Sequence, residues 1–176
     1  MESKLEFKIY GAYPWDINKS NSLRALSELQ KRISTRIMTL DKEKISVKLN
    51  ITYSRLRSTS GTFVFNSIRQ RISSADAIIF DITGFNPNVM IELGMALEMQ
   101  LAKESVAKVF LIAESKSFKS SLLPSDLSGY FLTHYWIDDK ENECHFGDNG
   151  SLVMRISTDA LNKIDHNLFD NDVFSH

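Results

Sequence analysis

The sequence lacks the features of disulfide-stabilised, metal-binding and membrane-spanning proteins. Cys144 is the single cysteine among 176 residues, so no internal disulfide can form, and no zinc-binding pattern of cysteines and histidines is present. No apolar run approaches the ~20 residues that span a bilayer. The first residues, MESKLEFKIY, lack the apolar core of a signal peptide. We therefore expect a cytoplasmic protein with no metal, no cofactor and no membrane anchor.

An excess of charge of one sign is lacking as well. The chain has 21 basic and 22 acidic residues, which give a net charge of -1, and no Lys/Arg cluster stands out on a predicted helix. This balance argues against a nucleic-acid partner, which would select a basic face. A chain of this length that is 43% hydrophobic can bury about two-thirds of its unfolded surface. We expect one domain over residues 1–176.

Segments with the two-residue period of strands alternate along the chain with segments of helical period. This alternation predicts an α/β fold in which right-handed crossovers join parallel strands. Five strands suggest a flavodoxin-like, three-layer arrangement with a parallel sheet of order 2-1-3-4-5. The strands are predicted at residues 5–10, 47–51, 77–82, 109–113 and 130–137, and the helices around 23–37, 63–72, 87–101 and 152–164.

The stretch that organises the rest is ADAIIFDITGFNPNVMIELGMAL, residues 75–97. Its apolar start is typical of a central strand that is covered on both faces. Gly84 then permits a sharp turn, Asn86 can cap a helix, and Pro87 suits the first helical position. Glu92 is predicted to lie beside the buried face of this helix, which consists of Val89, Leu93, Ala96, Leu97 and Leu101.

Open α/β sheets bind their ligands at the carboxyl ends of the strands, where the strand order reverses. In the predicted order this point lies between the first and third strands, so the loop after the first strand should face the turn and helix after the third. The predicted cleft has Tyr10, Tyr13 and Trp15 on one side and Asp81, Asn86, Asn88 and Glu92 on the other.

Glu92 has the chemistry to act on an N-glycosidic bond. Such bonds break through a ribosyl cation, which a carboxylate can stabilise or capture covalently. The helix dipole should favour its ionised form by ~0.3 to 1 kcal/mol, which suits a nucleophile better than a general acid. Aromatic rings opposite could stack the departing base, while Asp81 and the asparagines could bind ribose hydroxyls.

Each of these residues also has a purely structural interpretation. A glutamate in the first turns of a helix is favourable through the dipole alone, and Asp81 could bind a loop amide. Asn86 could serve only as a cap, and the aromatic residues could belong to the core. Cys144 and His145 could form a catalytic pair, but we expect them to be only a thiol and a histidine that are neighbours in a polar loop.

The stretch resembles a motif in which a strand ending in Asp-x-Thr is followed by Asn-Pro-Asn-Val and Glu-Leu-Gly-x-Ala. This motif is typical of the TIR-like and nucleoside 2-deoxyribosyltransferase-like superfamily, which includes predicted nucleotide-binding proteins of bacterial defence systems. LLPSDLSGYFLTHYW, residues 122–136, is similar to a segment of some TIR-like members. The resemblance implies that Glu92 is the catalytic carboxylate. It also implies self-association or assembly with a second defence protein.

The chain departs from the deoxyribosyltransferases six positions before this glutamate, where they have an acidic residue and this sequence has Asn86. Asn86 can hydrogen-bond a sugar hydroxyl but cannot transfer a proton. Nicotinamide leaves NAD without protonation, so the difference favours NAD as substrate. An NAD-cleaving N-glycosidase, with cyclisation or transfer as further outcomes, is the first hypothesis. The alternatives are a nucleoside or deoxynucleotide N-glycosidase or deoxyribosyltransferase, a non-catalytic nucleotide sensor, and an adaptor.

Overall fold

A computed structural model describes residues 6–14, 19–40, 61–120 and 123–173 of the chain. These parts form an α/β fold with five strands and four helices, of which the strands make one mixed sheet. The strands are β1 (Ile9–Ala12), β2 (Ala77–Asp81), β3 (Lys108–Glu114), β4 (Leu132–Asp138) and β5 (Glu143–Phe146), and the helices are α1 (Lys19–Leu40), α2 (Gly61–Ser74), α3 (Pro87–Leu101) and α4 (Ser151–Val173).

The strands of the described sheet lie in the order β1-β2-β3-β4-β5. The first three pairs are parallel and β4 pairs with β5 in the antiparallel direction. The described sheet thus has the order 1-2-3-4-5 rather than 2-1-3-4-5, and the prediction of a wholly parallel sheet is wrong. The first four strands of this sheet are the predicted strands 1, 3, 4 and 5, which lie next to one another as predicted. The strand predicted at residues 47–51 lies outside the described residues.

The unpredicted strand β5 arises from the polar stretch DDKENECHF, residues 138–146, which has no clear strand period. The carboxylate of Asp138 accepts hydrogen bonds from the backbone amides of Lys140 and Glu141. This local turn reverses the chain directly after β4, and a chain that reverses within a few residues can pair only in the antiparallel direction.

Helices cover both faces of the sheet and bury two clusters of apolar side chains. One cluster joins α1 and α4 to the sheet, and it contains Leu26, Ile33, Ile79, Ile112 and Ile156. The other joins α2 and α3 to the opposite face, and it contains Ile72, Ile78, Phe80, Leu93 and Leu111. β2 supplies both clusters from alternate residues, so its continuous apolar run is explained by burial on two faces.

The organising stretch folds as its sequence predicts, with one exception. Val89, Leu93 and Ala96 are buried on α3 and Leu97 is half-buried. Leu101 is 86% exposed because it is the last residue of the helix, beyond the end of the packed face. Within the described residues, no helix combines the length and the apolar character that crossing a bilayer requires.

Candidate functional site

The connection between β2 and α3 positions the candidate site. After Asp81 a short 3-10 turn over Thr83–Phe85 redirects the chain, and Gly84 adopts φ 68°, a left-handed conformation that suits glycine. The side-chain oxygen of Asn86 accepts a hydrogen bond from the amide of Asn88 at 3.0 Å, and Pro87 is the first residue of the helix. This cap fixes where α3 begins and hence where Glu92 lies.

Glu92 contacts the neighbouring strand through its carboxylate. The hydroxyl of Tyr10 in β1 donates a hydrogen bond to Oε2 of Glu92 at 2.7 Å. Tyr10 is paired with Ile78 of β2 and is almost completely buried, whereas Glu92 is half-buried. The predicted approach of the first strand to the helix after β2 is therefore present, with Tyr10 as the aromatic residue that makes the contact.

The environment of Glu92 differs from the expectation based on the helix dipole. Burial raises the pKa of the Glu92 carboxyl above its ordinary value. The hydrogen bond from Tyr10 and the positive charge of Arg71 both act to lower the same pKa, but the cost of removing the carboxylate from water is the largest of the three effects. Burial therefore acts against the ionised form that the helix dipole was expected to favour.

Arg71 is a member of this site that sequence reasoning missed. It lies on α2 between the buried residues Ile68 and Ile72. Its Nη1 atom is buried and has no hydrogen-bond partner in the described parts of the chain. The signal was its helical position, because Arg71 follows the buried Ile68 by three residues and so lies on the same side of α2. A cation there acts on Glu92 across the α2–α3 boundary.

Asp81 belongs to a different and fully closed group of side chains. Its carboxyl is inaccessible to solvent and accepts hydrogen bonds from the amide of Thr83 at 2.9 Å, from the Thr83 hydroxyl, and from the Tyr135 hydroxyl at 2.7 Å. The Ser22 hydroxyl lies nearby without meeting hydrogen-bond geometry. Burial raises the pKa of Asp81 despite these neighbours, and raises that of Tyr135 as well.

The closed group extends to the next strand. The Thr83 hydroxyl also accepts a hydrogen bond from the amide of Glu114, at 2.8 Å. The Glu114 carboxylate in turn accepts from Asn21 of α1 and from Ser117, both at 2.7 Å. These contacts tie the carboxyl ends of β2 and β3 to α1, which is a structural role, and they leave the Asp81 carboxyl with no open side toward a ligand.

The other predicted residues that the structure describes differ in their position relative to Glu92. Tyr13 is buried in the cluster on the α1 and α4 face, whereas Tyr10 faces α2 and α3. Asn86 caps the helix, and Asn88 is exposed one turn before Glu92. Trp15 lies outside the described residues. The structure therefore brings Tyr10 into contact with Glu92, whereas Asp81 and Tyr13 lie away from it.

Cys144 and His145 do not form a catalytic pair. They are neighbours on β5, so their side chains point to opposite faces. Burial raises the pKa of Cys144 to about 12, which keeps it a thiol at neutral pH, and His145 stacks on Trp136 with ring centroids 5.5 Å apart. His145 lies near Glu141 and Glu143, with ligand atoms within 4.8 Å of one another, and both glutamates are exposed.

Comparisons with known proteins give no family for this chain. No protein-family model matches the sequence, and no curated protein matches it. The resemblance to the TIR-like and deoxyribosyltransferase-like superfamily therefore stays a prediction, which depends on the motif within residues 75–97 and on the segment of residues 122–136. The candidate site is defined by Tyr10 and Glu92 together with Arg71.

Proposed function

We propose that this protein cleaves the bond between nicotinamide and ribose in NAD, with Glu92 as the residue that stabilises or traps the ribosyl cation. The observation that carries the proposal is the half-buried Glu92 carboxylate, held by the Tyr10 hydroxyl from the adjacent strand. A carboxylate that is partly removed from water interacts more strongly with a developing positive charge than an exposed one does. This is the property that breaking an N-glycosidic bond requires.

The reaction needs few further groups. As the bond breaks, its electron pair goes to the ring nitrogen of nicotinamide, which leaves as a neutral molecule without a proton donor. The cation at the ribose carbon is captured by water, which loses a proton and yields ADP-ribose, or by an oxygen of Glu92, which forms an ester that water then hydrolyses to ADP-ribose. Asn86 cannot supply a proton and its side-chain oxygen is occupied by the helix cap, so the absence of an acid at this position fits a leaving group that needs none.

Two neighbouring groups act on the position and the ionisation of the Glu92 carboxylate. The Tyr10 hydroxyl fixes Oε2 and favours the ionised form, and Arg71 favours it through charge. Both oppose the effect of burial. The ionised fraction of Glu92 should therefore increase as the pH rises through its raised pKa, and the rate of NAD cleavage should increase with it.

The test is incubation of the purified full chain with NAD, followed by chromatographic measurement of nicotinamide and ADP-ribose. Glu92→Gln keeps an acceptor for Tyr10 but removes the charge, and we expect it to lower the rate by about a thousandfold or more. Glu98→Gln is the matched control, since Glu98 lies on the same helix and is exposed. Full activity in Glu92→Gln, or no nicotinamide release in any oligomeric state, would refute the proposal.

One observation favours a second candidate, a nucleoside or deoxynucleotide N-glycosidase or deoxyribosyltransferase. A carboxyl with a raised pKa is suited to act as an acid, and a neutral purine or pyrimidine needs protonation to leave. In that case activity should fall as the pH rises through the pKa of Glu92, opposite to the dependence for NAD cleavage. Release of free base from deoxynucleosides, with NAD untouched, would establish this candidate.

Three further expectations from the sequence stay predictions. They are a flavodoxin-like sheet completed by residues 47–51, a cytoplasmic location, and a homo-oligomer or an assembly with a second defence protein. A sensor that binds NAD or ADP-ribose without turnover would give heat in calorimetry and no product. An adaptor would give neither heat nor product, and the next experiment would be to identify its protein partner.

A further inference from the structure

A cavity of about 520 Å³ lies between α1 and the start of α4. These two helices pack on the face of the sheet opposite to α3, which carries Glu92. Three cationic residues of α1 line the cavity, namely Lys31, Arg32 and Arg36. None of the described residues that line it carries a carboxylate. Two other cavities lined by described residues carry both signs of charge, one with three glutamates beside its cations and one with Asp159. The cavity between α1 and α4 is thus cationic in a chain whose charges otherwise balance.

The cations of this cavity differ in how far they are already neutralised. Arg32 forms an ion pair with Glu28 at 2.7 Å and donates to the carbonyl of Cys144 at 2.9 Å. Lys31 and Arg36 make no ion pair with any carboxylate in the described parts of the chain. The charges of Lys31 and Arg36 are therefore available to an anion in the cavity, whereas that of Arg32 is offset by Glu28.

The helix N-terminus beside the cavity is not what makes it a site. The Asp148 carboxylate already accepts hydrogen bonds from the amides of Gly150 and Leu152, at 3.1 and 2.6 Å. Those amides are therefore occupied, and the charge of Asp148 offsets the helix dipole there. An anion in the cavity would be held by the side chains of Lys31 and Arg36.

The other walls indicate what kind of anion fits. Thr35, Thr39 and Ser151 provide hydroxyl groups, and Val153 and Met154 provide an apolar wall in which Met154 is 48% exposed. The volume lies within the range of sites for small organic ligands. We propose that this cavity binds a small organic phosphate, whose phosphate groups lie between Lys31 and Arg36 and whose organic part packs on Val153 and Met154.

The proposal is independent of the reaction at Glu92, and its test uses binding rather than turnover. The full chain is titrated calorimetrically with inorganic pyrophosphate, ADP and adenosine at low ionic strength. We expect saturable binding of pyrophosphate that weakens with added salt, tighter binding of ADP through the apolar wall, and no competition by adenosine for the pyrophosphate site. The Glu92→Gln variant should bind pyrophosphate as the unchanged protein does, which separates this site from the proposed active site.

The variant Lys31→Gln/Arg36→Gln should weaken pyrophosphate binding roughly tenfold or more, because charged hydrogen bonds are lost. Lys116→Gln/Lys119→Gln removes the same charge from exposed residues elsewhere and should change binding less than twofold. Equal loss in the two variants would mean a net-charge effect and overturn the proposal, as would the absence of saturable binding. Pyrophosphate binding without any gain for ADP would overturn the part assigned to Val153 and Met154.

Discussion

Asp81 and Glu92 lie eleven residues apart on one strand-turn-helix segment, and burial raises the pKa of both carboxyl groups. Their surroundings nevertheless differ. Asp81 is inaccessible and accepts hydrogen bonds from Thr83 and Tyr135. Glu92 is half-buried, with Tyr10 as its hydrogen-bond donor and Arg71 as a nearby cation. A perturbed pKa therefore does not identify a functional carboxylate. The difference lies in whether the surroundings leave the group open to a ligand.

Removing the two carboxyl groups should separate these roles most clearly. Asp81→Ala leaves the Thr83 amide, the Thr83 hydroxyl and the Tyr135 hydroxyl without their acceptor in a buried position. Each such loss costs about 1–3 kcal/mol, so we expect the free energy of unfolding to fall by about 3 kcal/mol or more. Glu92→Ala should cost about 1 kcal/mol. Urea unfolding of both variants measures the difference. Equal losses of unfolding free energy would contradict the structural difference between the two carboxyl groups.

Removing the tyrosine hydroxyl that donates to each carboxyl group should also affect the two sites differently. Tyr135→Phe leaves an oxygen of the buried Asp81 without its donor, and we expect a loss of about 1.5–3 kcal/mol in unfolding free energy. Tyr10→Phe affects a group that is partly solvated, so about 1 kcal/mol or less should be lost. Its larger effect should be on NAD cleavage, through the position of Glu92. A Tyr10→Phe variant with unchanged kcat would contradict that role.

The pH dependence of stability should distinguish the groups in a third way. A carboxyl group whose pKa is raised by folding binds protons more readily in the folded state. Its contribution is fully present below the unfolded pKa, about 4, and is lost as the pH rises through the folded pKa. Relative to the unchanged protein, Asp81→Asn and Glu92→Gln should therefore gain stability as the pH rises, and the gain should be larger for Asp81 because its carboxyl is more completely buried. Urea unfolding between acid and neutral pH measures this, and stability differences that do not vary with pH would contradict it.

The smallest effect expected is that of Arg71 on Glu92. Arg71→Gln removes a charge that favours the ionised carboxylate, so the pKa of Glu92 should rise further and the acidic limb of NAD cleavage should move to higher pH. Arg69→Gln is the control, because Arg69 lies on the same helix and pairs with the exposed Glu98 and Glu104. Titration of the Glu92 carboxyl carbon by NMR gives the same comparison without relying on activity. Identical shifts in the two variants would exclude a specific role for Arg71.

The sequence was most informative where local rules decide the structure. The apolar run of β2, the cap at Asn86 and Pro87 at the first helical position are all confirmed, because burial on two faces and helix capping act through neighbouring residues. The fourth and fifth predicted strands also correspond to β3 and β4. The antiparallel β5 was missed because it depends on a turn at Asp138 rather than on its own periodicity.

The site was predicted in part, for reasons of geometry. Placing the first strand beside the organising stretch correctly brought Tyr10 to Glu92. Tyr13 is three residues further along and therefore faces the opposite side of the sheet, an outcome that the two-residue period of strands already implies. The burial of Asp81 could not be predicted, since its partner Tyr135 is 54 residues away in sequence.

The hairpin of β4 and β5 ends the described sheet at one side. An edge strand exposes backbone groups that can pair with another chain, and short, charged edges oppose such pairing. β5 has only four residues, carries Glu143 and His145 on one face, and has its Cys144 carbonyl bonded to Arg32. Extension of the sheet by a second copy is therefore disfavoured at this edge, and we expect any self-association on this side to use the helical surfaces instead.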